Sequence, residues 1–114
     1  MKKQKNKGFR VVVIKTHNDK NGGHPHVIMG NIDDKHVSVG LTTKSKKGKR
    51  GSPNYKMERS PFSDSKISYM RRQGTVAPKK EYSGERQGVF SEKDYEQAKI
   101  YGKRAEEKYL NKKK

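Results

Sequence analysis

Two short β-rich segments on either side of an acidic turn constrain the fold of this chain more than any other feature. The first is Asn21-Gly-Gly-His-Pro-His-Val-Ile-Met-Gly30 and the second is Lys35-His-Val-Ser-Val-Gly-Leu-Thr-Thr-Lys44. A hairpin turn at Asp33-Asp34 pairs them with opposed residue numbers summing to about 66 or 67, on strands about 4.8 Å apart. This register predicts that His24 faces Thr42 or Thr43, at the point where the lysine-rich segment 44–50 begins.

The second segment alternates between apolar and polar positions. Val37, Val39 and Leu41 fall on one face of a strand, while Ser38, Gly40 and Thr42 fall on the other. The apolar face is the one that packs on a core, so Thr42 is predicted to point away from it.

The rest of the chain predicts further strands and one helix. Arg10–Thr16 is short and β-branched, as expected of a buried strand, and Ile67–Met70 and Gly74–Ala77 are candidate short strands. Residues 44–66 are predicted to form a long loop. From Ser91, an N-cap residue, a helix is expected whose small and aromatic residues form one stripe. These aromatic residues are more typical of a core than of a base-stacking surface.

This pattern predicts a single α+β domain. We expect a small, strongly curved, barrel-like antiparallel sheet with a C-terminal helix packed on it, covering residues 9–110. The remaining residues, 1–8 and 111–114, are predicted to be basic, flexible tails.

The charge of the chain indicates a polyanionic partner. The formal net charge is +17, of which residues 1–80 carry +15 and residues 81–114 carry +2. Nucleic acid fits this distribution best, and charge that serves only solubility is the alternative. A membrane partner is not expected, because no segment combines a basic face with an apolar aromatic one. The chain has no cysteine, and its longest apolar run is Val11–Ile14. We therefore expect neither a signal peptide nor a membrane span. We expect a cytoplasmic location.

A metal site is not expected. His24, His26 and His36 suggest zinc ligands, but the hairpin register separates His26 from His36 by about 13 Å along the strands. Asp33 and Asp34 belong to the turn, while Glu58 and Asp64 stand apart in a basic loop. No other cofactor is indicated.

Without a metal, RNA is the nucleic acid that this set of residues can cleave. Its own 2′-OH supplies the nucleophile, so the protein needs only a base, an acid and positive charge near the phosphate. The candidate catalytic residues are His24, Thr42, Thr43, Lys44 and Lys46. Histidine is suited to proton transfer, threonine to holding the phosphate and lysine to stabilising its charge. The alternative is that the threonines merely end a strand and that His24 is a solvated turn residue.

A second set of residues is expected to bind RNA through phosphate contacts and base stacking. Its members are His26, Lys47, Lys49, Arg50, Tyr55, Lys56, Arg59, Tyr69, Arg71 and Arg72. The aromatic residues of this region, Tyr55, Phe62 and Tyr69, are equally well explained as anchors of the long loop.

The hairpin resembles the core of the MazF/PemK-like endoribonuclease toxins and their ToxN-type relatives. The resemblance covers residues 9–46 and lies in Gly23-His24-Pro25, in the strand with Val27-Ile28, and in Leu41-Thr42-Thr43. It implies an SH3-like (CcdB/PemK-like) antiparallel β-barrel. It also implies metal-independent RNA cleavage at the threonine end of the strand and at nearby basic side chains.

The sequence therefore predicts a toxin-type endoribonuclease that cleaves single-stranded RNA by metal-independent transesterification. The resemblance implies a cognate antitoxin, either an RNA or an acidic protein, through which the toxin would oligomerise. The alternative is a non-catalytic, basic RNA- or DNA-binding protein.

Overall fold

A computed structural model describes residues 8–16, 24–45, 53–63 and 66–112. The strands are β1 (Phe9–Thr16), β2 (Pro25–Ile32), β3 (Lys35–Thr42), β4 (Tyr55–Lys56), β5 (Tyr69–Pro78) and β6 (Tyr82–Phe90). A 3-10 turn (Lys79–Glu81) joins β5 to β6, and the helix α1 spans Glu92–Lys112. The predicted α+β class is confirmed. Residues 46–52 and 64–65 of the expected loop, residues 1–7 of the first predicted tail and residues 113–114 of the second lie outside the described residues.

The strands form one antiparallel sheet in the order β4-β5-β3-β2-β1-β6. The predicted strands β1, β2 and β3 are confirmed. The two short strands expected at Ile67–Met70 and Gly74–Ala77 are instead one continuous strand, β5, which begins at Tyr69 and ends at Pro78. The sequence did not predict β6.

Within the described residues the expected antiparallel sheet is open and does not close into a barrel. The edges are β4, which has only two residues, and β6. Residues 57–62 pass between these edges, and the backbone N–H of Val89 in β6 donates to the carbonyl of Pro61 at 3.0 Å. A loop contact therefore stands where a closed barrel would have a strand ladder.

The predicted strong curvature follows from the short connection between β5 and β6. In a flat sheet these strands would be four spacings apart, about 19 Å. The four steps from Pro78 to Tyr82 reach only about 14 Å when fully extended. The sheet must bend to bring the strand ends together, and Tyr82 consequently contacts Ser38 on β3.

The core lies between one face of the sheet and α1. It contains Val13, Val27, Val39, Met70 and Phe90 from the strands and Ala98 and Tyr101 from the helix. A Cβ on Gly74 would lie 2.8 Å from the backbone oxygen of Tyr101, so only glycine allows this close approach of helix and sheet. Of the helix aromatics, Tyr101 belongs to the core, as expected, with only 2% of its surface exposed, and the partly buried Tyr95 packs against the core. Tyr109 lies outside the core and donates its hydroxyl to Asp33 at 3.4 Å.

Candidate functional site

The register of the hairpin agrees with the prediction. His26 pairs with Gly40, Ile28 with Ser38 and Asn31 with His36. The sums of the paired numbers change from 66 to 67 at an irregularity between Ile28 and Gly30. His24 lies one residue before β2, whose pairing with β3 ends at His26 and Gly40, and its charge acts on the imidazole of His26.

The end of β3 is held by a set of short hydrogen bonds. Thr42 is half-buried next to the core residue Leu41, and its Oγ1 accepts the backbone N–H of Lys44 at 3.1 Å. Asn54 donates from its side chain to the carbonyl of Lys44 at 3.0 Å. Thr42 thus points away from the core, as predicted, while Thr43 and Lys44 are exposed.

Two predicted RNA-binding residues lie beside Thr42 on the neighbouring strands. Thr42 pairs with Tyr69 on β5, and Tyr69 pairs with Lys56 on β4. Paired residues of neighbouring strands share a face. Thr42, Tyr69 and Lys56 therefore form one row on the face opposite the core.

On the same face, His26 begins a chain of polar groups that joins three strands. Nδ1 of His26 and Oγ of Ser38 lie 3.3 Å apart, and this Oγ lies 3.5 Å from the hydroxyl of Tyr82. The Tyr82 ring lies against the rings of His26 and His36, with centroids 5.6 Å and 5.7 Å away. Ser38 is fully buried, so these contacts fix the orientation of the His26 ring. We call His26, Ser38 and Tyr82 the polar chain.

The environment of His26 keeps its imidazole neutral. Burial lowers the pKa of His26 to about 4, and the positive charges of His24 and Arg71 act in the same direction. At neutral pH the ring is uncharged and can accept a proton. Burial also lowers the pKa of His36, helped by Lys79 and opposed by Glu85.

Arg71 brings positive charge to the polar chain. Its side chain crosses Gly40, where a Cβ would lie 3.3 Å from Cδ of Arg71. Its Nη1 is buried and has no hydrogen-bond partner among the described residues. A buried guanidinium nitrogen without an acceptor is costly, and a bound anion would supply one.

Sequence analysis did not single out Ser38 or Tyr82 as functional residues. Ser38 falls on the correct face in the alternating pattern of β3, but serines of that kind are usually solvated. No local signal identifies Tyr82, because its strand was not predicted and its contact with Ser38 spans 44 residues of sequence.

Other predicted RNA-binding residues lie elsewhere. Tyr55 donates its hydroxyl to Asp94 at 2.9 Å and packs edge-on against Tyr101, and burial raises its pKa, helped by this hydrogen bond. Arg59 is exposed in the loop that follows, and Arg72 donates from Nε to the carbonyl of Pro53 at 2.9 Å. Lys46, Lys47, Lys49 and Arg50 lie outside the described residues.

The described ranges bring together no group of three histidine, aspartate or glutamate side chains that could hold a metal ion. None of the helices described combines the length and hydropathy that a membrane span requires. Comparison of the chain with models of protein families, with curated proteins and with solved structures finds no match.

Proposed function

We propose that this protein is an endoribonuclease that cleaves single-stranded RNA by metal-independent transesterification. One observation carries the proposal: a neutral histidine, His26, is oriented by Ser38 and lies beside Arg71, whose buried Nη1 has no hydrogen-bond partner in the part of the chain that the structure describes. A proton acceptor and a cation on one face are the groups that attack by a 2′-OH on a phosphodiester requires.

In the proposed reaction the 2′-oxygen attacks the adjacent phosphorus and the bond from phosphorus to the 5′-oxygen breaks. The products are a 2′,3′-cyclic phosphate and a 5′-hydroxyl. His26 accepts the 2′-OH proton at Nε2 while Nδ1 donates to Ser38, and His24 returns a proton to the departing 5′-oxygen. Proton transfer of this kind contributes roughly 10²–10⁴-fold to the rate.

The charged groups have a separate role in this scheme. Arg71 and Lys44 neutralise the charge that develops on the phosphorane. Oγ1 of Thr42 accepts the Lys44 N–H, so the Thr42 hydroxyl keeps its hydrogen for a phosphate oxygen. The bound phosphate opposes the charges of His24 and Arg71, which raises the pKa of His26 and favours proton uptake.

The test is incubation of the purified protein with single-stranded RNA in EDTA. We expect fragments that end in a 2′,3′-cyclic phosphate, loss of cleavage in His26→Gln and Arg71→Gln, and normal cleavage in Lys99→Gln, which changes an exposed helix residue. RNA that is bound but not cut would favour the alternative, a non-catalytic nucleic-acid-binding protein. That protein would show a log K against log salt slope of about −0.7 for each phosphate neutralised.

We also propose that the protein acts as a toxin in the cytoplasm and is neutralised by a cognate antitoxin, an RNA or an acidic protein. The net charge of +17 suits either partner. Expression of the wild type should arrest growth, and expression of Thr42→Val or His26→Gln should not. Equal growth of cells that express comparable amounts of wild type and variants would count against a toxin.

The fold supports a related proposal, that the sheet is a variant of the SH3-like barrel of the CcdB/PemK type. Its strong curvature and the 3-10 turn between β5 and β6 support this assignment. An experimental structure in which β5 and β6 lie far apart on a flat sheet would contradict it.

A further inference from the structure

The buried hydroxyl of Ser38 joins His26 to Tyr82. Ser38 is fully buried, and in the part of the chain that the structure describes its Oγ has two hydrogen-bonding neighbours. Nδ1 of His26 lies 3.3 Å away and the hydroxyl of Tyr82 lies 3.5 Å away. A serine hydroxyl has one hydrogen to donate, and a buried donor without an acceptor is costly. Ser38 therefore directs its hydrogen to one of these two neighbours.

The direction of the Ser38 hydrogen determines the tautomer of His26. If Ser38 donates to Tyr82, Nδ1 of His26 carries the imidazole hydrogen and donates to Ser38, and Nε2 keeps a lone pair that can accept a proton. If Ser38 instead donates to Nδ1, the imidazole hydrogen is on Nε2, which can then only donate. The proposed reaction requires the first arrangement, in which the hydroxyl oxygen of Tyr82 is the acceptor.

Arg71 favours the first arrangement. Its side chain crosses Gly40, which pairs with His26 across the sheet, and its positive charge acts on the imidazole. Nδ1 faces Ser38, so Nε2 is the nitrogen that remains to interact with this charge. A guanidinium offers only hydrogens, and beside it a nitrogen with a lone pair is electrostatically favoured over one with a hydrogen.

The position of the Tyr82 hydroxyl is set by the packing of its ring. Tyr82 is only 8% exposed, and its ring lies against the rings of His26 and His36. Nδ1 of His36 and Oδ1 of Asn31 lie 2.8 Å apart, and this contact holds the second imidazole in place. A phenylalanine at this position would keep the ring contacts and lose only the hydroxyl.

We infer that Tyr82 is a positioning residue: its hydroxyl accepts the hydrogen of Ser38 and so holds His26 in the tautomer whose Nε2 can accept a proton. The part that this tautomer plays in catalysis rests on the proposed ribonuclease function. In Tyr82→Phe the Ser38 hydrogen has only Nδ1 of His26 as an acceptor among the described residues, so the imidazole hydrogen moves to Nε2 by exchange with water. His26 then donates at the nitrogen where the reaction needs it to accept.

The tautomer is measured first, without RNA. Long-range proton–nitrogen NMR spectra at neutral pH distinguish a ring nitrogen that carries a hydrogen from one that carries a lone pair. The chain has four histidines, and the His26 signals are those that are lost in His26→Gln. We expect the hydrogen on Nδ1 in the wild type and on Nε2 in Tyr82→Phe. The control is Tyr109→Phe, which removes a hydroxyl that donates to Asp33 and should leave the His26 signals unchanged.

Cleavage separates this inference from the proposed function. With single-stranded RNA, Tyr82→Phe should lower kcat/KM about tenfold, the effect of one hydrogen bond. If RNA is cut but His26 has the same tautomer in wild type and Tyr82→Phe, or if the tautomer changes and the rate does not, the inference is overturned while the ribonuclease stands. If the tautomer changes as expected but the wild type cuts no RNA, Tyr82 does orient His26 and the ribonuclease proposal fails.

Ser38→Ala is a second variant that breaks the same connection with little change in side-chain size. It should lower the share of the Nδ1 tautomer, and Tyr82→Phe should then have no further effect on the tautomer or on kcat/KM. Effects of the two substitutions that simply add would overturn the inference, because Tyr82 would then act on His26 independently of Ser38.

Discussion

Replacement of Asp94 by alanine should remove the main connection between α1 and the loop after β4. This carboxylate is completely buried near the start of the helix. It accepts the backbone N–H of Glu58 at 2.9 Å and 3.0 Å and the hydroxyl of Tyr55 at 2.9 Å. The backbone N–H of Arg59 also donates to it, at 3.4 Å. The variant leaves these three donors without their acceptor.

The expected loss of stability follows from these contacts. Hydrogen bonds to a charged group contribute about 1.5–3 kcal/mol each. Glu58 is exposed and Tyr55 half-buried, so water partly replaces the acceptor and the lower value applies. Two such bonds give a loss of about 3 kcal/mol. For a domain of this size that lowers Tm by about 12 °C or more.

The assay is urea denaturation followed by circular dichroism, with Glu96→Gln as the control. Glu96 is an exposed residue of the same helix that pairs with Lys99 at 3.6 Å, and such a surface pair is worth about 0.5 kcal/mol or less. Tyr55→Phe should account for about 1.5 kcal/mol of the loss and should couple to Asp94→Ala in a double-mutant cycle. An Asp94→Ala protein within about 1 kcal/mol of wild type would refute this account of how the loop is held.

Four further predictions concern the sheet. The folded state lowers the pKa of His26 to about 4, so the unfolded chain takes up this proton first as the pH falls. The contribution of His26 to the free energy of unfolding is therefore complete above about pH 6.5. It should fall by about 1 kcal/mol by pH 5, a value that is discounted because the ring is partly exposed to solvent. His26→Gln should remove this part of the pH dependence. If urea denaturation shows the same dependence of stability on pH in the variant as in wild type, the imidazole of His26 is not held neutral in the folded state. If His26 is the base, the acid limb of kcat/KM should lie near pH 4 in the free enzyme, and a limb at the ordinary histidine value would exclude it. Gly40→Ala should push Arg71 aside, because the added Cβ lies 3.3 Å from its Cδ, and should lower RNA cleavage more than it lowers Tm. If the Gly40→Ala variant cleaves RNA at the wild-type rate, Arg71 does not contribute to catalysis. Gly74→Ala should destabilise the protein by about 1–3 kcal/mol through overpacking, because the added Cβ would meet backbone oxygens of both the helix and β3. A variant that unfolds at the same urea concentration as wild type would contradict this.

Sequence patterns alone were sufficient for the elements whose signals are local. The alternation of Val37, Val39 and Leu41 identified the core face of β3, and the turn at Asp33-Asp34 set the register that pairs His26 with Gly40. The helix was predictable from its N-cap, and the N–H of Asp94 indeed donates to Oγ of Ser91 at 3.1 Å. Each of these signals arises within a few residues of sequence.

Tertiary structure decided the features that depend on distant parts of the chain. The strand β6 is polar through its centre and contains two glycines, so its own sequence does not favour a strand, and it forms because β1 offers an unpaired edge. The polar chain exists because the bend between β5 and β6 brings Tyr82 over Ser38. Asp94 reaches Glu58 across 36 residues of sequence in the same way. The hairpin register is a property of local side-chain alternation, whereas the partner of each buried polar group depends on how the sheet curves.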